Sequence, residues 1–315
     1  MSYPVVLIGF NRPDLIIRRL EEILPQLGAN DLLYVYIDGP RDLEDSIWNS
    51  QIREIQNKYS DQSNLKFVFR SGNLGCSGNI ISAVTEVCLH NAGAIIIEDD
   101  VSISPHFLSA ISGVLDSWSP SSDWLTAGGF SPFVSHSKLA GRVMSSWRKS
   151  EYFSAWGWGV TSQAWDTFAI VSNQNLLATG LSASEKWKSL GDRKQGIWLK
   201  RFERGIWDFQ VQIMHFAADK YCILPTLRII DNEGFDSERS THTRHKRPWN
   251  FFGFGYSAVT PKLPNHFSEK NSSNFWRVLD ANLWAADGLM NARARNAGVR
   301  TYLKKLINWI KQVIS

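Results

Sequence analysis

Cysteine is scarce in this chain: Cys76, Cys88 and Cys222 are the three present among 315 residues. An odd number, widely spaced, makes no disulfide framework, and a reducing cytosol is the expected setting. Long apolar runs are missing as well. Nothing approaches the ~18 uninterrupted apolar residues of a transmembrane helix. The opening Met-Ser-Tyr-Pro-Val-Val-Leu-Ile-Gly-Phe has no basic lead before its apolar stretch and runs straight into Asn11-Arg12-Pro13-Asp14. A first strand is expected there rather than a signal peptide. Neither sign of charge is in strong excess. Lys and Arg number 34 against 30 Asp and Glu, a net charge of +4, and without a concentrated basic patch no nucleic-acid partner is expected. There is no internal repeat and no low-complexity segment. At 43% hydrophobic and 20% charged residues, the composition is that of a globular protein and excludes disorder, collagen or coiled coil as the main architecture.

Tryptophan, by contrast, is abundant. There are 14, and all but Trp48 lie at or after Trp118. Indole packs cores, forms platforms for sugar rings and sits at membrane interfaces, so composition alone leaves the use open.

The first hundred residues alternate. Val5-Val6-Leu7-Ile8-Gly9-Phe10 is a continuous apolar run, as a buried parallel strand requires. A helix is expected over 13–24, with Pro13 near its start, apolar spacing at Leu15, Ile16, Leu20, Ile23 and Leu24, and Pro25 and Gly28 beyond. Residues 32–37 form a second expected strand, stopped by Asp38-Gly39-Pro40, with a helix over 46–58 and a third strand over 65–69. A Gly/Asn-rich loop over 71–78, a helix over 79–90 and a fourth strand over 94–97 follow. The fold class expected is α/β, a Rossmann-type, mostly parallel sheet flanked by helices, with a C-terminal helical extension. Its parts are 1–105, 106–247 as a second half of the same domain, and an extension over 248–315.

In such sheets ligands bind at the carboxyl ends of the strands. Here those ends carry Asn11 and Arg12, Asp38, the residues from Arg70 on to Asn79, and Glu98-Asp99-Asp100. Three adjacent carboxylates repel one another, and a divalent cation such as Mg²⁺ or Mn²⁺ removes the conflict; an acidic turn capping the next helix is the alternative. The Ser71-Gly72-Asn73-Leu74-Gly75-Cys76-Ser77-Gly78-Asn79 run lacks the Gly-Lys-Ser/Thr of a Walker loop and is not a dinucleotide fingerprint. It either offers amides to an anion or is a plain loop.

From Pro4 to Leu108, about a third of the chain, the sequence resembles the nucleotide-sugar-binding half of GT-A-fold glycosyltransferases. The resemblance rests on Val-Leu-Ile-Gly-Phe-Asn-Arg-Pro-Asp, on Tyr-Ile-Asp-Gly-Pro, and above all on Ile-Ile-Glu-Asp-Asp-Val-x-Ile-Ser-Pro-x-Phe-Leu. The last is similar to the Glu-Asp-Asp form of the family's Asp-x-Asp motif, as in the transferase that adds N-acetylglucosamine to the N-glycan core and its bacterial relatives. The resemblance implies a UDP-sugar donor, with Asp100 as the direct Mn²⁺ (or Mg²⁺) ligand and Glu98 and Asp99 near the ribose and diphosphate. It also implies Asp38 and Arg12 at the uracil end. Asn79 joins the expected nucleotide-binding set through the Gly-rich segment.

Beyond Pro105 the parallel rhythm fades. Tyr152-Phe153-Ser154-Ala155-Trp156-Gly157-Trp158-Gly159-Val160 reads either as a loop presenting indole faces to a sugar or as a Trp-filled corner of the core. Asp208, between Trp207 and Phe209, reads either as a general base raised by apolar surroundings or as an acid near a helix N-terminus, since 207–218 has helical character. The related transferases carry their base in a similar Trp-Asp context. Glu185, Asp192, Glu203 and Glu233 are the other acids that qualify. Downstream, an Asn-x-Gly-Phe-Asp … Thr-His-Thr order resembles a segment of the bacterial relatives. There His242 is an additional candidate metal ligand, or the surrounding basic loop is simply solvated.

Residues 299–314 are amphipathic. Val299, Tyr302, Leu303, Leu306, Ile307, Trp309, Ile310, Val313 and Ile314 share one arc, and Arg300, Lys304, Lys305, Asn308, Lys311 and Gln312 the other. The helix either lies on an anionic membrane surface or docks on the domain. The expectation that follows is a metal-dependent transferase, inverting by resemblance, on the cytoplasmic side or the inner membrane face. It would move a sugar from a nucleotide-sugar donor to a glycan or lipid-linked acceptor. A sugar nucleotidyltransferase and a non-catalytic carbohydrate-binding protein are the alternatives.

Overall fold

A computed structural model of the chain describes residues 3–134 and 146–234, with Tyr256, Ser257, Pro261 and Asp280. Ten strands are seen: β1 Val5–Gly9, β2 Leu33–Ile37, β3 Leu65–Phe69, β4 Gly93–Glu98, β5 Val101–Ile103, β6 Trp124–Gly128, β7 Trp147–Ser150, β8 Trp158–Thr161, β9 Tyr221–Pro225 and β10 Ile230–Asn232. Eight join one sheet in the order β3-β2-β1-β4-β8-β6-β9-β7, and β10 pairs with β5 in a separate two-stranded sheet. The first four strands are parallel, with Leu7 opposite both Val35 and Ile97. Direction then breaks: β8 is antiparallel to β4 and to β6, β9 is parallel to β6, and β7 is antiparallel to β9. The α/β class is as expected, with four parallel and three antiparallel pairings in the large sheet.

Why β1 is apolar at every position is visible in its two faces. Val5 and Leu7 enter one core with α1 (Pro13–Ile23), α2 (Leu43–Lys58) and α4 (Phe107–Asp116). Val6 and Ile8 enter another with α3 (Gly75–Cys88) and the helix Trp207–Ala217. In β4, Ile95 and Ile97 likewise face the first core, Ala94 and Ile96 the second. A strand covered on both sides has no face on which to place polar residues, so its polarity is pushed to its ends.

Three sequence expectations are corrected in detail. The helix expected over 46–58 starts at Leu43, because the Asp42 carboxylate caps it by accepting the Asp45 amide at 2.9 Å. The helix expected from residue 79 starts at Gly75, so half of the expected Gly/Asn loop is helical. Trp158 and Gly159, read as part of a possible sugar-facing loop, lie inside β8 between β4 and β6. The extension over 248–315, with the amphipathic run 299–314, falls outside the described residues apart from the four named above. Among the described residues no helix is long and apolar enough to cross a membrane, and all three cysteines are free.

Candidate functional site

The edge formed by the carboxyl ends of β1 and β4 gathers opposite charges. Arg12 caps the exit of β1 at the entry to α1, whose first residue is Pro13. Its guanidinium grips both oxygens of Asp99, Nε reaching Oδ2 at 3.0 Å and Nη2 pairing with Oδ1, while Nη1 reaches Asp100 Oδ2 at 3.2 Å. Arg12, expected at the uracil end, here neutralises the acidic strand end. Glu98 is the last residue of β4 itself, paired across from Ile8. Burial, then the charges of Asp100, Asp99 and Asp208, hold its carboxyl well above the usual range, with Arg12 opposing. Burial raises Asp99 too, against the pull of Arg12.

Asp208 reaches this cluster from the opposite half of the chain, close enough for its charge to act on Glu98. It lies in the first turn of the helix Trp207–Ala217, and its Oδ1 accepts the Phe209 amide at 3.0 Å. The residue before that helix, Ile206, has no side chain that can cap it; Ser77 Oγ on α3 accepts the Trp207 amide instead, at 3.1 Å. That bond ties the Asp208 turn to the helix bordering the acid cluster, and Cys76 beside it also lies in the field of Glu98, Asp208, Asp100 and Asp99.

Asp100 sits at the corner between β4 and β5. Its carbonyl accepts the Glu233 amide at 2.7 Å, as β10 leaves its antiparallel pairing with β5. Gly234 packs flat on its carboxylate: a Cβ there would lie 2.4 Å from Asp100 Oδ2. Glu233 itself, one of the other candidate acids, faces Arg18 and Arg19 on α1 at 3.8 and 3.4 Å. Glu185, Asp192 and Glu203 are exposed on later helices, Glu185 paired with Lys188 at 2.8 Å.

Two expected binding residues have hydrogen-bond partners within the protein. Asp38 is buried and fastens the β2 and β3 exits together. It accepts the Leu74 amide at 2.8 Å and the Asn73 side chain at 3.1 Å, where Gly39 crosses Gly72 too closely for any Cβ. Asn79 is buried on α3, where its Oδ1 accepts Arg70 Nε at 3.3 Å; Arg70 also pairs with Glu86 at 2.7 Å. His242 lies outside the described residues.

Of the ten tryptophans in the described residues, seven are buried: Trp124, Trp147, Trp158, Trp165, Trp187, Trp198 and Trp207. Trp158 stands edge-on to Phe153 and stacks on Trp207, so its indole belongs to the core. Trp156 is half-buried, edge-on to Phe130 at 4.9 Å. The abundance of Trp is mainly a packing device here.

Among the described residues no set of three or more His, Cys, Asp and Glu forms a ready-made metal cage. The donor chemistry still suits a hard cation. Asp99 and Asp100 bring two carboxylates together around one guanidinium, and Mg²⁺-type sites need only one or two carboxylates plus substrate phosphates and water. What sequence reasoning missed is the supporting layer of Arg19, Ser77 and Gly234. Arg19 was legible as a charged residue inside the apolar spacing of α1.

No family model matches the chain, and no curated protein matches it. Solved structures are similar to parts of the chain at low identity. The crystal structure of S. aureus TarS 1-349 is 13% identical over 71% of this chain and 58% of that one, with a TM-score of 0.40. The same TarS fragment in complex with UDP gives 0.43, at 13% identity over 71% and 57%. The mannosyltransferase PcManGT from Pyrobaculum calidifontis, in complex with GDP-Man and Mn²⁺, is 12% identical over 68% and 70%, with a TM-score of 0.37. The chain thus spans less than two thirds of the TarS fragment.

Proposed function

We propose that this protein is a nucleotide-sugar-dependent glycosyltransferase, with a UDP-sugar as the donor and a glycan or lipid-linked sugar as the acceptor. The observation that carries the reading is the convergence of Arg12, Glu98, Asp99 and Asp100, at the ends of β1 and β4, with Asp208 from the far half of the chain. A sheet edge of this kind is where α/β proteins receive ligands. In this reading Asp100 would hold a divalent ion, Mn²⁺ or Mg²⁺, with Glu98 and Asp99 beside it. Such an ion supplies neutralising charge for the departing nucleoside diphosphate.

The protein's own groups do the rest. An Asp208 carboxylate oxygen takes the proton of the acceptor hydroxyl as that oxygen forms its bond to the anomeric carbon. The bond from that carbon to the diphosphate oxygen breaks, and its electron pair leaves with the diphosphate; attack opposite the leaving group inverts the centre. Arg12 keeps Asp99 and Asp100 from repelling each other apart before the donor arrives. Asp38 and Asn79 fix the loop and helix that border the nucleotide side. In this reading the run 299–314 would hold the enzyme at an anionic membrane face on the cytoplasmic side, near a lipid-linked acceptor.

The test is calorimetric titration of the protein with UDP- and GDP-sugars, with and without Mn²⁺, alongside release of the nucleoside diphosphate on adding glycan acceptors. Metal-dependent binding of one donor supports the reading. Sugar binding without any nucleotide affinity would point to a carbohydrate-binding protein and overturn it.

A further inference from the structure

Arg19 occupies a place that a leucine would fill at less cost. It stands on α1 among Ile16, Leu20 and Ile23, all in the core, and only 1% of it is exposed. A buried guanidinium is expensive unless paired, and replacing a buried ion pair with well-packed apolar residues is often neutral or stabilising. Yet Nε and Nη1 of Arg19 find no hydrogen-bond partner among the described residues. A single nitrogen, Nη2, makes both of its ion pairs, to Glu22 at 2.9 Å and Glu233 at 3.4 Å.

Those two carboxylates lead to opposite strands of the small sheet. Glu22 Oε2 accepts the amide of Ile103 in β5 at 2.9 Å. Glu233 follows β10, and its amide holds the Asp100 carbonyl. The next residue, Gly234, lies against the Asp100 carboxylate. Tyr256 faces the same cluster, within the field of Glu22, Arg19 and Glu233. Glu22, itself on α1, reaches β5 directly, and the Arg19 guanidinium joins that carboxylate to Glu233 beyond β10 and so to the acid corner.

We infer that Arg19 is a positioning residue: it clips the β5–β10 sheet to α1 and so fixes the orientation of the Asp100 carboxylate. The inference rests on the proposed transferase reading for its functional consequence, but its structural content stands apart from it. Supports of this outer kind cost 10–100-fold in affinity or activity when removed from comparable sites.

The decisive variant is Arg19→Leu combined with Glu22→Gln and Glu233→Gln, which removes the clip without stranding a buried charge. Its melting temperature is expected to stay near that of the native chain. Amide hydrogen exchange over 99–104 and 230–234 is expected to speed up at least tenfold. Calorimetric affinity for UDP with Mn²⁺ is expected to fall 10–100-fold, and Arg19→Lys, which keeps the charge, should recover part of that loss. Unchanged exchange in those two segments overturns the inference whether or not the protein binds nucleotide. Faster exchange with native nucleotide affinity overturns the positioning role. If the native chain binds no nucleotide while exchange still responds, the transferase reading fails and the clip stands. Should the triple variant not fold, Glu233→Gln alone is scored by the same exchange measurement.

Discussion

The two halves of the large sheet solve the same packing problem with different chemistry. In β1 and β4 the strands are parallel and aliphatic, helices cover both faces, and charge is confined to the strand ends. In β6 to β9 parallel and antiparallel pairings mix, and aromatic and polar groups sit inside. Trp158 and Trp147 are fully buried, as are Arg148 and His215. Strands β1 and β4 therefore place their ionisable groups at one edge, where a ligand can reach them. The second half buries its own among rings and contributes a single acid, Asp208, to that edge. The lesson is that similar residue types serve chemistry or packing according to whether a strand end or a strand middle carries them.

The largest expected effect tests the acid that the second half brings to the Glu98–Asp100 end. Asp208→Asn preserves shape and removes the proton acceptor, so transfer should fall by roughly 10²–10⁴-fold while donor affinity holds. Single-turnover kinetics beside calorimetry read both; transfer at the native rate would return Asp208 to an ordinary helix-start acid.

Next in size is the buried ion pair of the second half. Arg148 meets Asp280 at 2.5 and 2.9 Å, and Ser150 donates to the same carboxylate at 2.7 Å. Asp280→Ala removes the carboxylate that two Arg148 nitrogens and Ser150 hold, and should cost about 3–5 kcal/mol by denaturant unfolding. Asp280→Ala with Arg148→Met should recover much of it.

The tryptophans sharpen the contrast between packing and presentation. Trp158→Ala opens a void in the core and should cost about 3–5 kcal/mol. Trp156→Ala, at a half-buried ring, should cost about 1–2 kcal/mol. Equal losses in the two variants would erase the distinction between β8 and the loop before it.

The smallest effect is a slope. Burial pushes His215 down to about 3 from 6.5, while its Nε2 lies 3.0 Å from Thr126 Oγ1. A base with a depressed native pKa is neutral when folded and takes a proton when unfolded. Its contribution is therefore present above pH 6.5 and is lost as pH falls towards 3. Melting temperatures of the native chain and His215→Asn, measured from pH 7 to pH 4, should converge as the pH drops. A constant difference between them would show that His215 does not report on that core.

Much of the first half was legible because its signals are local. Continuous apolar runs such as 5–10 and 94–97, each followed by polar or charged residues, state a buried parallel strand and its polar end in consecutive letters. Strand β3 lies at 65–69 as the pattern requires. The start of α3 at Gly75 was less legible, since glycine and asparagine favour loops and only tertiary packing overrides them. The charged group in the apolar face of α1 was visible, but its purpose was not, because Glu233 lies 214 residues away.

By itself the sequence determined the α/β alternation, the both-sides-buried character of β1 and β4, and the acidic end at 98–100. Each follows from neighbours along the chain, through period, propensity and the cost of burying charge. Tertiary structure alone decided that Arg12 neutralises Asp99 and Asp100 and that Asp208 joins them. It also decided that Trp158 packs in the core and that Arg19 joins Glu22, which holds β5, to Glu233 beyond β10. Those outcomes depend on pairings across the chain, where burial and desolvation select among partners that no local pattern identifies.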